Sequence, residues 1–245
     1  MGSLAGPPLL KNTAQRPKKE RGSTGMTRDS AARKAVVGRM TANGVVAIMR
    51  HTEASLAVEA AEALLAGGVD VVEVTLNTAG ALDMIKGLAN ALGSRMVIGA
   101  GTVLTADAVD QAVDAGARFV VAPNTSLQVI SRASHHDIPS VPGAFTPTEI
   151  VMAWDAGADI VKLFPASAGG PRYLKDVRGP LNFIPICPTG GVSPSNVAEF
   201  IRAGAVAVGA GSDLVDKGVV DRREWAELER RARSFVDCVR QGRSS

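Results

Sequence analysis

The strongest constraint on this chain is a phrase that recurs four times, Ala-Gly-(Gly/Ala)-x-x-apolar, each time running into a stretch of aliphatic residues. The copies are AGGVDVVEV from residue 66, AGARFVVAP from 115, AGADIVKLF from 156 and AGAVAVGAG from 203. The glycine lets a helix end in the left-handed conformation, and the aliphatic run has the composition of a strand buried on both faces. Each copy is therefore an α-to-β connection.

Four further apolar runs lie between the copies: VVAIMR from Val45, MVIGAG from Met96, IPSVPG from Ile138 and IPICPTG from Ile184. Together they make eight strands at intervals of about 20 to 26 residues, with helical patterns in the gaps. One helix covers 55–65, with Leu56, Val58, Ala61 and Leu64 on one face, and another covers 106–115. A third, over 146–156, opens Thr-Pro-Thr-Glu, with Thr146 as N-cap, Pro147 as first helical residue and Glu149 closing a capping box. Strands alternating with helices and crossing one way predict an α/β fold, a single (β/α)8 TIM barrel over 30–245. A short N-terminal helix over 31–40, ended by Asn43-Gly44, precedes it. A doubly wound open sheet would carry a Gly-rich dinucleotide loop after its first strand, but that strand ends Met49-Arg50-His51.

A net charge of +3 raises the question of a polyanionic partner. Residues 1–34 hold eight basic residues against two acidic, +6, and the remaining 211 sum to −3, so the body is mildly acidic. Residues 1–29 have no hydrophobic period and are expected to be a disordered basic leader. An organelle transit peptide, a leader ahead of a native start at Met26, and a nucleic-acid tail are its three readings, the last opposed by the lack of interleaved aromatics. Cys187 and Cys238 make no disulfide scaffold, and no run of about 18 apolar residues offers a membrane span. A cytoplasmic protein without membrane or nucleic-acid partners fits, with organelle targeting by the leader left open.

Chemistry in such a barrel sits at the C-terminal ends of the strands. Two charges lie inside strands, Glu73 in VVEVTL and Lys162 in IVKLF. If Val72, Val74, Val161 and Leu163 pack outward on the helices, both charges point into the barrel. A lysine confined there should lose some preference for its charged form and supply an amine nucleophile. The bland reading is a buried ion pair that fixes the barrel register. Strand seven ends PTGGV (Pro188, Thr189, Gly190, Gly191, Val192) and leads to a helix expected to be capped by Ser193 with Pro194 at its start; strand eight ends VGAGSDL, with Gly211 and Ser212. Such loops converge backbone amides on an anion, or are only turns. Strand three ends GAGTV, where Gly101 and Thr102 could hold a carboxylate, and Arg50 supplies either an anion contact or a rim salt bridge with Glu53. The three histidines, His51, His135 and His136, converge with no carboxylates, so the chemistry reads as metal-free and without cofactor, with Cys187 a buried apolar residue.

EVTLNT, GAGTV, VKLFPAS, PTGGVS and VGAGS, in that order over residues 45–216, resemble the class I 2-keto-3-deoxy-6-phosphogluconate (KDPG)/4-hydroxy-2-oxoglutarate aldolases. The resemblance implies Lys162 as the Schiff-base residue and Glu73 as proton shuttle. It further implies Gly101, Thr102 and Thr189 against the pyruvate unit, Gly190, Gly191, Gly211 and Ser212 as phosphate cradle, Arg50 as an active-site cation, and Phe164 as a pocket wall. It implies a small-molecule partner, a 2-keto-3-deoxy sugar acid phosphate or pyruvate, and a homotrimer. Where the phosphogluconate pattern has Glu-x-Thr-x-Arg-Thr, this chain has Asn77 in place of the arginine, which leaves gluconate, galactonate and hydroxyoxoglutarate substrates open. A phosphate-binding barrel isomerase or transferase, using Glu73 as base without an imine, is the alternative.

Overall fold

The computed structural model describes residues 30–244, so the leader expected over 1–29 lies outside the described residues. The architecture is α/β, with a curved parallel sheet, a half-barrel, backed by helices. The strands are β1 (Val45–Met49), β2 (Val71–Thr75), β3 (Val97–Gly101), β4 (Val120–Val121), β5 (Ser140–Val141), β6 (Gly143–Ala144), β7 (Val161–Leu163), β8 (Ile186–Pro188) and β9 (Val208–Ala210). The helices are α1 (Ala31–Asn43), α2 (Ala57–Ala66), α3 (Ala81–Leu92), α4 (Ala106–Asp114), α5 (Leu127–His135), α6 (Pro147–Ala156), α7 (Gly170–Arg178), α8 (Val197–Arg202), α9 (Lys217–Asp221) and α10 (Trp225–Arg243).

All eight predicted strands form, the fifth broken at Pro142 into β5 and β6 because proline has no N–H to give the ladder. Two parallel sheets result, one in the order β5-β4-β3-β2-β1-β9 and one in the order β6-β7-β8. The helix-ending glycines adopt the left-handed conformation at Gly68, Gly116, Gly157 and Gly204, with φ from 93° to 106°. In the first copy the left-handed residue is thus Gly68 and not Gly67. Gly67 serves close packing instead, since a Cβ there would lie 2.4 Å from the Ala232 Cβ of α10.

The capping box forms as expected: Thr146 Oγ1 accepts from the Glu149 amide, and the Glu149 carboxylate accepts from the Thr146 amide. One helix start is corrected. Ser193 and Pro194 do not open the helix after strand seven; α8 begins at Val197. The Asn196 side chain accepts from the Ser193 amide and donates to Gly191 O, which stabilises a turn through the intervening residues. The helix α1 runs on to Asn43 and is ended by Gly44 at φ 80°.

Strand alternation divides the apolar residues into two cores. Val72, Val74, Val161 and Leu163 pack with the helices, as expected. Residues of the opposite faces, including Val46, Val71, Val97, Phe119, Val141, Ile160, Cys187 and Ala207, form a second cluster closed from the N-terminal side by Val36 and Met40 of α1. This plug corrects the charge division, because Arg33 belongs to the fold. It is 3% exposed and makes a bidentate ion pair with Asp159, Nε to Oδ1 at 2.9 Å and Nη2 to Oδ2 at 2.7 Å. Among the described residues, no helix is long and apolar enough to cross a membrane.

Candidate active site

Alternation puts Glu73 on the inner face of β2 and Lys162 on the inner face of β7, and they are only 2% and 5% exposed. Glu73 stands in register with Ile48 of β1 and Gly99 of β3. Its carboxylate occupies space left by a missing side chain, since a Cβ on Gly101 would lie 2.7 Å from Glu73 Oε1. Burial pushes the Glu73 pKa above its ordinary value, and the nearby charges of Lys162 and Arg50 pull it down without overcoming burial. The ion pair of the bland reading is not formed: among the described residues, none within 4.0 Å joins Glu73 to Lys162. The two charges influence one another through space.

Lys162 lies beside the ring of Phe164, its Nζ 5.0 Å from the ring centroid. Its register neighbours are Gly143 and Cys187. Burial pushes the Cys187 thiol up to about 12, against the lowering influence of Lys162 and of a hydrogen bond from Thr189. A thiol so buried stays protonated and unreactive, in keeping with the sequence reading.

Beside Phe164 opens a cavity of about 300 Å³ whose lining includes Arg50, Thr189, Gly190, Gly191, Gly211 and Ser212, all named from the sequence. Gly190 and Gly191 have φ of 88° and 72°. A Cβ on Gly190 would meet the Phe164 ring at 3.3 Å, and one on Gly191 would meet Ser167 Cβ at 2.6 Å. These glycines therefore let the loop close on β7's extension, where the Ser167 amide donates to Gly190 O at 2.9 Å. Arg50 is exposed to the cavity, and among the described residues no ion pair within 4.0 Å joins it to Glu53.

Gly101 and Thr102 sit at the end of β3 beside Glu73, outside the lining of this cavity; Thr102 is half-buried with φ 56°. Asn77 is exposed on the turn after β2 and also lies outside the lining. Sequence reasoning missed Ile48, His51, Val192, Asp213, Val215 and Lys217, which complete the lining. Lys217 and Asp213 follow the strand-eight glycine loop closely enough to have been included with it. His51 carried no such signal. Lys217 pairs with Asp221 at 2.5 Å, and that hydrogen bond raises its pKa. His135 and His136 lie away from the cavity, His136 bonded to Asp110 at 2.6 Å. Among the described residues, no group of three or more His, Cys, Asp or Glu could hold a metal ion.

The family model for KDPG and KHG aldolases matches residues 36–231. The chain is 40% identical over 178 residues to a 2-dehydro-3-deoxy-phosphogluconate aldolase of Pseudomonas aeruginosa, covering 72% of this chain and 80% of that one. It is 36% identical over 198 residues to a 2-dehydro-3-deoxy-6-phosphogalactonate aldolase of Escherichia coli, covering 80% and 95%. Among solved structures it matches the KDPG aldolase of Legionella pneumophila with pyruvate captured as a covalent carbinolamine intermediate, at a TM-score of 0.77 and 31% identity over 81% of this chain and 97% of that one. The match spans every strand and the whole cavity: this chain belongs to the KDPG and KHG aldolase family.

Proposed function

We propose that the protein is a class I aldolase, a lyase that reversibly cleaves a KDPG-type 2-keto-3-deoxy-6-phospho sugar acid to pyruvate and glyceraldehyde 3-phosphate. It would act on 4-hydroxy-2-oxoglutarate, giving pyruvate and glyoxylate, by the same chemistry. The observation that carries this reading is a buried lysine whose amine lies beside Phe164 of the cavity wall, with a buried carboxyl of raised pKa within its electrostatic reach and, among the described residues, no ion pair within 4.0 Å between them.

Lys162 Nζ adds to the keto carbon, and the carbinolamine loses water to a protonated imine. Glu73 removes the proton of the C4 hydroxyl, directly or through a water. The C3–C4 bond breaks as its electron pair flows into the iminium. The aldehyde leaves, C3 of the resulting enamine takes a proton, and hydrolysis returns pyruvate and the free amine. A carboxyl whose pKa is raised by burial suits both halves of this shuttle, because the cost of gaining and losing its proton is more even. The Gly190–Gly191 and Gly211–Ser212 loops would cradle the phosphate, with Gly101, Thr102 and Thr189 against the pyruvate unit, Phe164 as wall, and Asn77 at the rim toward the sugar hydroxyls.

We further read the two parallel sheets as one closed (β/α)8 barrel. Support comes from a parallel bridge between Thr189 and Gly209, from the Asp159 amide donating to Ser140 O across the break at Pro142, and from an inner core to which all eight strand segments contribute. A cytoplasmic homotrimer is the accompanying proposal; Cys187 and Cys238 are free thiols, as a reducing compartment would keep them. Light scattering checks the trimer.

Borohydride trapping with pyruvate tests the chemistry. A reduced pyruvyl adduct on Lys162 is expected; turnover without any adduct sinks the Schiff-base reading and favours the imine-free alternative. Turnover on the gluconate-derived, galactonate-derived and hydroxyoxoglutarate substrates then ranks them.

A further inference from the structure

Two threonines of the EVTLNT segment, Thr75 and Thr78, are 0% and 5% exposed and have no part in the reaction above. Thr75 ends β2, and the chain turns back at once, the Thr78 amide donating to Thr75 O at 2.9 Å. The turn leaves Asn77 outside and folds the Thr78 hydroxyl onto that of Thr75, 3.0 Å away. Two more bonds lead out of this pair. The His51 amide donates to Thr78 Oγ1 at 3.0 Å, and the Thr75 hydroxyl donates to Met49 O at 3.4 Å.

A hydroxyl has one proton to give. Since Thr75 gives its proton to Met49, Thr78 must be the donor between the two hydroxyls. The chain of bonds therefore runs one way: from the His51 amide through Thr78 and Thr75 to the Met49 carbonyl. Its two ends fall on the residues on either side of Arg50. His51 needs such a hold, because its φ of 56° is one that few non-glycine residues adopt. The register of β1 and β2 pairs Met49 with Val74, which puts Thr75 one step on, at the end of β1. Had burial of a β-branched side chain been the whole purpose, valine would serve at both positions without two hydroxyls to satisfy.

We propose that Thr75 and Thr78 are positioning residues, a buried hydroxyl clamp that fixes the backbone on both sides of Arg50 and so aims its guanidinium into the cavity to take the anionic group of the substrate. The substrate half of this statement rests on the aldolase reading, and the geometric half does not. Lining the same cavity, Arg50 can grip an anion only from the direction its backbone sets, and a bidentate guanidinium contact is sensitive to that direction.

The experiment uses the full chain. With Thr78→Val, KM for the KDPG-type substrate rises about tenfold while kcat stays within about twofold, and Thr78→Ser restores KM. In an Arg50→Ala background the same substitution adds less than about twofold, because the group it positions is gone. Hydrogen exchange at the His51 amide, followed by NMR, speeds up about tenfold or more in Thr78→Val; Thr78→Ala is the second variant should valine impair folding. An unchanged KM, a full tenfold penalty in the Arg50→Ala background, or an equally protected His51 amide each overturns the clamp. Wild-type protein that turns over no aldol substrate would instead overturn the aldolase reading, with His51 exchange still deciding the clamp.

Discussion

Two pairs of opposite charges stand at opposite ends of the inner core, and they are built differently. Toward the N-terminal face, Arg33 meets both oxygens of Asp159, whose Oδ2 also accepts from the Ser140 amide. Toward the C-terminal face, Glu73 and Lys162 are both buried, where Asp159 is only partly so, yet no ion pair within 4.0 Å links them. A bonded pair regains part of its desolvation cost and ties α1 to the fold. An unbonded pair leaves part of that cost standing, visible in the raised pKa of Glu73, and on the proposed reading keeps an amine and a carboxyl available to a substrate. On that reading the contrast separates charges that hold a structure from charges kept for chemistry.

The largest effect should come from Lys162→Met. Turnover falls about 10⁴-fold or more, because the other amine at the cavity, Lys217, is held in its pair with Asp221, while Tm stays level or rises as a buried charge is removed. A large fall in Tm would make Lys162 a residue of the Arg33 kind. Asp159→Ala is the mirror experiment. It strands the Arg33 guanidinium and should cost about 3–5 kcal/mol in urea unfolding, with kcat of the folded fraction kept.

Glu73→Gln comes next, with kcat down about 10²- to 10³-fold. Its stability effect has a definite sign. The folded pKa lies above 4.5, so the native state holds the proton more tightly than the unfolded chain does. The stability this contributes is full below about pH 4.5 and is lost as pH rises through the raised folded value. Glutamine never ionises, so the variant should unfold at equal or higher urea than wild type at pH 7 and lack that loss. A variant markedly less stable at pH 7 would show that Glu73 is bonded in the native state after all.

How legible each pair was follows from the same contrast. Glu73 and Lys162 announce themselves because a charge inside an aliphatic strand breaks a local pattern that a short window reveals. The α-to-β repeat is equally local, each glycine lying two or three residues before its strand. Arg33 announces nothing: its partner is 126 residues away, and in sequence it is one more cation of the basic stretch at the start of the chain. Thr75 and Thr78 are hidden in another way, since threonine is an ordinary strand residue and only their bonds to Met49 and His51 distinguish them. The start of α8 was misplaced because Ser-Pro looks like a cap and first turn, while Asn196 competes for the same amide. Local rules located the strands and the charges among them, and contacts distant in sequence decided what each charge does.

The mildest substitution probes the unbonded pair without touching either member. A Cβ at Gly101 would fall 2.7 Å from Glu73 Oε1 and 3.2 Å from Thr75 Cγ2, closer than the carboxylate can tolerate in place. Gly101 is absent from the positive-φ positions, so alanine brings no backbone strain of the left-handed kind. The carboxylate is the far end of a rotatable side chain and can move aside at small cost. Gly101→Ala should therefore fold with Tm within a few degrees of wild type and lose about tenfold in kcat, because proton transfer depends steeply on placement. Pyruvate trapping on Lys162 should persist, since its attacking amine is untouched. Displacement of Glu73 relative to Lys162 and Arg50 also alters the charge influences on its pKa, so the limb of the pH–rate profile set by Glu73 should shift along with the drop in rate. A tenfold loss with that limb unmoved would mean that the methyl group blocks the substrate and leaves the carboxyl where it was.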